Sequence, residues 1–214
     1  EKLVTAIATQ IGTAIQNARL VRNSLAQQRL QQEMQLANDL QMKLLPDTRL
    51  FAPEVQVAAR VVPADSVGGD FYHLFRLGGG RTGVMIGDVS SHGYRAALIM
   101  ALVMSASSIH AQSTDDPADM INALLDTLRE ELESTEMYIS IFYAVLDPAQ
   151  GRLRYANAGH PHAFVVSGDG VTERLSALDP PLGMSDRHPP AVERPWAAGQ
   201  DLLLLFTDGV SAAR

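Results

Sequence analysis

The chain opens on a helical period. Ile7, Ile11, Ala14, Ala18, Val21 and Leu25 step by four and three, the a/d stripe of a helix with one apolar seam. The stripe then fails, because the positions that would continue it are Gln28, Gln32 and Gln35. A second stripe starts at Leu30 and runs through Met34, Ala37, Gln41 and Leu44 in a different register. No proline and a single glycine, Gly12, interrupt residues 1–45. The pattern predicts one long helix ended by Pro46, since proline disfavours helical geometry in the residue before it. Such a helix can cover its own domain, or it can pair with a second copy as a parallel linker with a register break. Gln27 to Gln35 offer little to bury in a core, which favours the paired linker.

After Pro46 the period changes. Val55, Val57, Ala59 and Val61 alternate with other residues, as in a strand. Phe71 to Leu77 and Gly83 to Val89 read as strands around the turn Gly78-Gly79-Gly80. His92 to about His110 is apolar, rich in Ala and Met, and helical. Pro117 stands near the first turn of another helix reaching about Ser134, with Met120, Leu124, Leu125, Leu128 and Leu132 on one face. Tyr138 to Leu146 and Leu153 to Ala158 predict a hairpin across the turn formed by Asp147, Pro148 and Gly151. Ala163 to Val166 and Val171 to Leu175 flank a Gly-Asp-Gly turn, and Gln200 to Thr207 reads as a buried strand. Strands surround a central helical pair and nothing repeats as βαβ. The expected class is therefore α+β, with helices packed on antiparallel sheets.

Composition narrows the chemistry. Of 214 residues, 46% are hydrophobic and 19% charged, which fits one globular domain plus an appendage. Cysteine is absent, so a disulfide framework, a thiol nucleophile and a thiolate metal site are excluded. A net charge of −7 lacks the basic footprint of a nucleic-acid binder. The longest apolar run, Leu202 to Phe206, falls far short of the ~20 residues of a membrane span. The first residue is Glu1 and the last, Arg214, follows directly on a motif, so a fragment is expected.

Three aspartates share one setting. Asp70 follows Val67-Gly68-Gly69, Asp88 lies in Ile86-Gly87-Asp88-Val89-Ser90, and Asp208 lies in Phe206-Thr207-Asp208-Gly209. Each sits beside glycine at or near a strand end, where backbone and solvent can come close to a carboxylate. Each alone reads as a turn aspartate. Together they offer oxygen ligands without a His or Cys cluster, which suits Mg²⁺ or Mn²⁺ rather than Zn²⁺. A pair of such ions can clamp a phosphoryl group and generate a nucleophile from water. His92, at a strand-to-helix junction, fits a cap or a place in the site. His160, in Asn157-Ala158-Gly159-His160-Pro161, fits a tight turn or a contact with substrate or ligands.

Taken in order, the motifs resemble one family. Val67-Gly68-Gly69-Asp70-Phe71-Tyr72, Gly87-Asp88-Val89-Ser90 with His92-Gly93, Asn157-Ala158-Gly159-His160-Pro161 and Thr207-Asp208-Gly209-Val210 occur at about the spacing of the bacterial stage II sporulation E-type (SpoIIE/PPM) branch of the metal-dependent protein phosphatase 2C-like superfamily. Pro63-Ala64-Asp65 and Pro181-Leu182-Gly183 add to the match. In the helix, Ala8-Thr9-Gln10-Ile11 and Ala14-Ile15-Gln16-Asn17-Ala18-Arg19-Leu20 look like the last helix of a GAF sensor domain. Leu36 to Pro46 look like the linker that commonly precedes these phosphatases. The resemblance divides the chain into a GAF-like helix at 1–24, a helical linker at 25–45 and a C-terminally incomplete phosphatase domain at 46–214.

The resemblance implies an α-β-β-α sandwich with two Mn²⁺ or Mg²⁺ ions at one edge. Asp88 would bridge the ions, the Val89 carbonyl would be a further ligand, and Asp70 and Asp208 would complete the protein side. Water activated there would attack phosphoserine or phosphothreonine. His73, His92 and His160 would stand behind the ligands. The implied substrate is a phosphorylated STAS-domain anti-anti-sigma protein, in the cytoplasm, acted on by a homodimer joined through the N-terminal helix. Two positions depart from the family: His73 stands where Asp is frequent, and Ser91 where Gly is frequent. A further metal aspartate of the family would lie beyond Arg214. The alternative expectation is a pseudophosphatase that works as a dimerising, partner-binding signalling module.

Overall fold

The computed structural model describes residues 2–52, 55–63, 66–186 and 188–212. Ala64 and Asp65 of the Pro63-Ala64-Asp65 motif lie outside the described residues. The chain divides into two units, residues 1–40 and 41–214. The described residues of the first are all helical, as part of α1 (Lys2–Met42). At about 1.5 Å per residue, the 41 residues of α1 extend about 60 Å. Ile11, Val21 and Leu25 of the first stripe and Leu30 of the second are all exposed.

The second unit is layered. Strands β1 (Phe71–Leu77), β2 (Arg81–Val89), β3 (Ile139–Asp147), β4 (Arg152–Ala158) and the later β7 (Val192–Pro195) form one antiparallel sheet in the order β1-β2-β3-β4-β7. Strands β5 (Ala163–Val166), β6 (Thr172–Arg174) and β8 (Leu202–Leu205) form the second, in the order β6-β5-β8. Helices α2 (Tyr94–His110) and α3 (Pro117–Thr135) pack on the outer face of the first sheet. Period two divides the strands between two cores. Met85, Val89, Ile139, Ile141, Tyr143 and Val145 face the helices. Phe142, Ala144, Leu146, Leu153 and Tyr155 face Ala163, Val165, Leu203 and Leu205 between the sheets.

Local chemistry starts and stops the elements. Asp116 caps α3 by accepting the Ala118 N–H at 2.8 Å, and Pro117 takes the first turn, where its missing donor costs nothing. The buried face is Met120, Ile121, Leu124, Leu125, Leu128 and Leu132, and Glu136 ends the helix in the left-handed region at φ 54°. The β3–β4 turn closes with the Gln150 N–H donating to Asp147 Oδ1 at 3.1 Å, and Gly151 supplies φ +60°.

Three expectations need correction. Residues 55–61 form no strand; among the described residues they pair with no ladder, and Val55 packs against the core between the sheets. Alternation marked a segment with one packed face, and a strand also needs a backbone partner. Strand β8 is not buried on both faces: Leu202 and Leu204 are 58% and 44% exposed. Asp208 does not end that strand but opens a short helix, α4 (Asp208–Ala212). Strand β7, with its alternating intermediate and exposed residues, was not expected. No described helix is long and apolar enough to cross a membrane.

Candidate active site

The β1–β2 ladder brings two of the aspartates together. Phe71 pairs with Gly87, so Asp70, one residue before the strand, comes opposite Asp88. Gly87 has to be glycine here, because a Cβ would stand 2.5 Å from the Phe71 ring. Asp88 in turn pairs with Ser140 on β3. Asp208 arrives from the other sheet, three residues after β8. All three line one cleft of about 530 Å³ together with Gln41, Ser90, His92, Tyr138, His160 and Thr207.

The electrostatics follow from that grouping. Burial, then the neighbouring charges of Asp70 and Asp208, push the Asp88 carboxyl up to about 7. Burial also raises Asp70, with Asp208 adding to the rise and a hydrogen bond from the Thr207 hydroxyl opposing it. One carboxylate oxygen, Asp70 Oδ1, is buried without a hydrogen-bond partner. None of the described lining residues is Lys or Arg. Like charges crowded in a partly dry cleft are unfavourable unless a cation joins them.

The donor chemistry therefore fits a hard dication. The cleft does not form a closed cage: among the described residues no group of three His, Asp or Glu side chains is placed to hold an ion. That suits Mg²⁺-like binding, in which one or two carboxylates share the ion with several waters. Gly69 packs directly against the Val89 carbonyl, where a Cβ would lie 2.7 Å from the oxygen; Val89 itself is buried and is not among the residues lining the cleft. The Val89 N–H donates to the Gly69 carbonyl at 3.4 Å, fastening the glycine loop to the end of β2.

The histidines separate. His160 lies in the cleft, 1% exposed. Its Nε2–H donates to the Phe206 carbonyl at 3.1 Å, and burial pushes it down to about 4. His92 lines the same cleft just before Gly93, the N-cap of α2. Ser91 beside it holds φ +76°, a conformation in which glycine would be unstrained. His73 is not among the lining residues. Its Nδ1 accepts the Leu74 N–H at 2.9 Å and its Nε2 meets the Ser108 hydroxyl of α2 at 2.9 Å. Both ring nitrogens are thus engaged at the sheet–helix contact, with Leu74 and Ser108 as their partners.

Two cleft residues carry roles that the sequence pattern did not assign. Gln41 read as one position of a helix stripe, yet it is 6% exposed and bonded to Gly68. Ser90 accepts the Tyr138 N–H at 2.9 Å and so ties the end of β2 to the start of β3.

The Stage II sporulation protein E (SpoIIE) family profile matches residues 78–214. The chain belongs to the SpoIIE family. The match takes in Asp88 and Asp208, and Asp70 lies just before it. Protein IcfG of Synechocystis sp. is 28% identical to this SpoIIE-family chain over 209 residues, 85% of the chain and 33% of IcfG. Phosphoserine phosphatase RsbP of Bacillus subtilis is 28% identical over 181 residues, 83% of the chain and 45% of RsbP. The chain thus spans less than half the length of either relative. The solved SiaA-PP2C domain of Pseudomonas aeruginosa superimposes with a TM-score of 0.73 at 25% identity, covering 86% of this chain and 74% of that one. The sandwich of this SpoIIE-family chain is thus the PP2C-like phosphatase fold.

Proposed function

We propose that the chain is the phosphatase module of a bacterial signalling protein and hydrolyses phosphoserine or phosphothreonine with Mn²⁺ or Mg²⁺. The observation that carries this reading is the meeting of Asp70, Asp88 and Asp208 in one cleft, with Asp70 Oδ1 buried and unpartnered. Bound dications would neutralise phosphoryl charge and make water nucleophilic at neutral pH. Asp88 feels the charges of both other carboxylates, so it is the residue we assign to both ions, with Asp70, Asp208 and the Val89 carbonyl as the further ligands. Thr207 holds Asp70 through its hydroxyl. Ser90, His92 and Tyr138 supply polar groups around the remaining space.

The likeness to a phosphoserine phosphatase supports phosphoserine as the substrate, with the serine hydroxyl leaving. The partner we propose is a phosphorylated STAS-domain anti-anti-sigma protein. Residues 1–24 are proposed as the end of a GAF-like sensor and residues 25–45 as the linker that relays its state through a homodimer. The exposed apolar residues of α1 support a helical partner. The reading is tested by hydrolysis of p-nitrophenyl phosphate with and without Mn²⁺. Turnover that requires Mn²⁺ and is lost in Asp88→Asn is expected; metal-independent turnover would sink it.

One observation favours a second reading, a partner-binding pseudophosphatase: Ser91 puts a side chain into the cleft lining while holding φ +76°, a conformation that suits glycine. Capture of the phosphorylated partner without any Mn²⁺-dependent turnover would select that reading.

A further inference from the structure

His160 meets strand β3 and the segment that follows β8 at the acidic cleft. Its Nε2 meets the Phe206 carbonyl at 3.1 Å. A carbonyl only accepts, so the ring proton sits on Nε2 and Nδ1 is bare. Nδ1 faces the Ser140 hydroxyl at 3.5 Å, the long limit of a hydrogen bond. Phe206 leads directly into Thr207 and Asp208, and Ser140 is the ladder partner of Asp88. The ring therefore stands between the segment that delivers Asp208 and the strand beside Asp88. A second bond, from the Phe206 N–H to the His162 carbonyl at 3.1 Å, fastens the same segment to the same turn.

The turn that carries the ring is itself fixed. Asn157, 2% exposed, accepts the His160 N–H at 2.8 Å through Oδ1. Its Nδ2 donates to the carbonyls of His160 at 3.0 Å and Leu175 at 2.8 Å. Gly159 holds φ +73°, and a Cβ there would lie 2.4 Å from the Pro181 ring. A donor held this firmly can transmit position, because it has nowhere else to move.

We propose that His160 is the positioning residue of the acid cluster. Through its Nε2–H bond to the Phe206 carbonyl it sets where Thr207 and Asp208 stand relative to Asp70 and Asp88. This rests on the metal-site reading above, but it concerns a bond that exists in the protein alone. Residues that orient metal ligands typically change affinity 10–100-fold when lost.

The test compares Mn²⁺ affinity by isothermal titration calorimetry in the wild type, His160→Phe and His160→Gln. Phe fills the ring's space without a donor; Gln restores an N–H donor. His160→Phe should raise the Mn²⁺ Kd by about tenfold or more, and His160→Gln should return it to within a few-fold of wild type. Equal affinity in His160→Phe and wild type overturns the proposal, as does equal weakening in both variants, which would mark a packing role. A wild type that binds no Mn²⁺ at all instead overturns the metal-site reading and the proposal with it. Should His160→Phe fail to fold, nitrogen NMR of the wild type decides. The His160 Nε2 signal should have the chemical shift of a protonated nitrogen and move during a Mg²⁺ titration. An unprotonated Nε2, or a signal that ignores Mg²⁺, overturns the proposal.

Discussion

Gln41 and Gly68 hold each other through two hydrogen bonds. The Gln41 Nε2–H donates to the Gly68 carbonyl at 2.7 Å, and the Gly68 N–H donates to Gln41 Oε1 at 3.1 Å. The glycine loop that leads to Asp70 is thereby fixed to the last turn of α1 by one side chain. The same amide approaches the Met100 sulfur of α2 at 3.6 Å.

Gln41→Leu keeps much of the volume but leaves both Gly68 backbone groups without these partners. Unpaired buried groups cost about 1–3 kcal/mol. The variant should lose that much stability in urea unfolding and bind Mn²⁺ more weakly, because Asp70 follows Gly68 by two residues. Wild-type stability together with wild-type Mn²⁺ affinity would show that the loop is held by something else.

How far the sequence could be read depended on the range of the interaction. Phe71–Leu77, Tyr138–Leu146 and Pro117–Ser134 were legible because period, turn glycines and caps act over a few residues. The three aspartates were legible because each carries its glycine neighbours with it. Gln41 was not, since nothing in a helix stripe shows that one glutamine meets a loop 27 residues on. The contact of His73 with Ser108 was hidden for the same reason, since Ser108 lies 35 residues away on α2. Val55 to Val61 misled because alternation shows which side is packed and says nothing of a ladder. Leu202 to Leu205 reads as a strand covered on both sides, yet Leu203 and Leu205 pack on the core while Leu202 and Leu204 are 58% and 44% exposed.

Asp88 should make the metal-free protein less stable as pH rises. Its folded value is about 7 against an ordinary 3.8. Between those values the folded state keeps a proton that the unfolded state has lost, so stability falls as pH climbs through that window and levels off above about 7. Asp88→Asn removes this ionisation. In a chelator the variant should therefore gain on the wild type from pH 4 towards pH 7 and hold its advantage above. Adding Mn²⁺ at pH 8 should reverse the order, because the wild type alone gains the ions. Denaturation curves with EDTA and with Mn²⁺ measure both effects. A constant difference across the pH range would remove Asp88 as the crowded carboxylate.

Gly69 is predicted to be irreplaceable even by alanine. A Cβ would stand 2.7 Å from the Val89 carbonyl and 3.2 Å from its amide nitrogen, both backbone atoms of a buried strand end. Neither can move without shifting Asp88. Forcing atoms into packed structure typically costs about 1–3 kcal/mol. Gly69→Ala should show that loss in thermal unfolding along with impaired Mn²⁺ binding. Gly80→Ala is a control, because a Cβ there has open space and suffers only from its φ of +74°. Its stability loss should come without any change in Mn²⁺ affinity. If Gly69→Ala binds Mn²⁺ as wild type does, the Val89 carbonyl is not part of the site.

The register break in α1 gives the last prediction. A straight two-stranded coil can keep only one apolar seam facing its partner. The first seam ends at Leu25 and the second begins at Leu30, both exposed. Gln28 and Gln32, also exposed, occupy the positions where the first seam would continue. Replacing both with leucine should prolong the first register at the expense of the second. Burying a leucine contributes about 1.5–3 kcal/mol, so the double variant should dimerise more than tenfold more tightly by sedimentation equilibrium. If the linker sets the state of the phosphatase unit, Mn²⁺-dependent turnover should also settle at one fixed level, higher or lower than wild type. Tighter dimers with unchanged turnover would leave the pairing intact and remove the relay. Unchanged association would mean that the two stripes do not face a second copy of the helix at all.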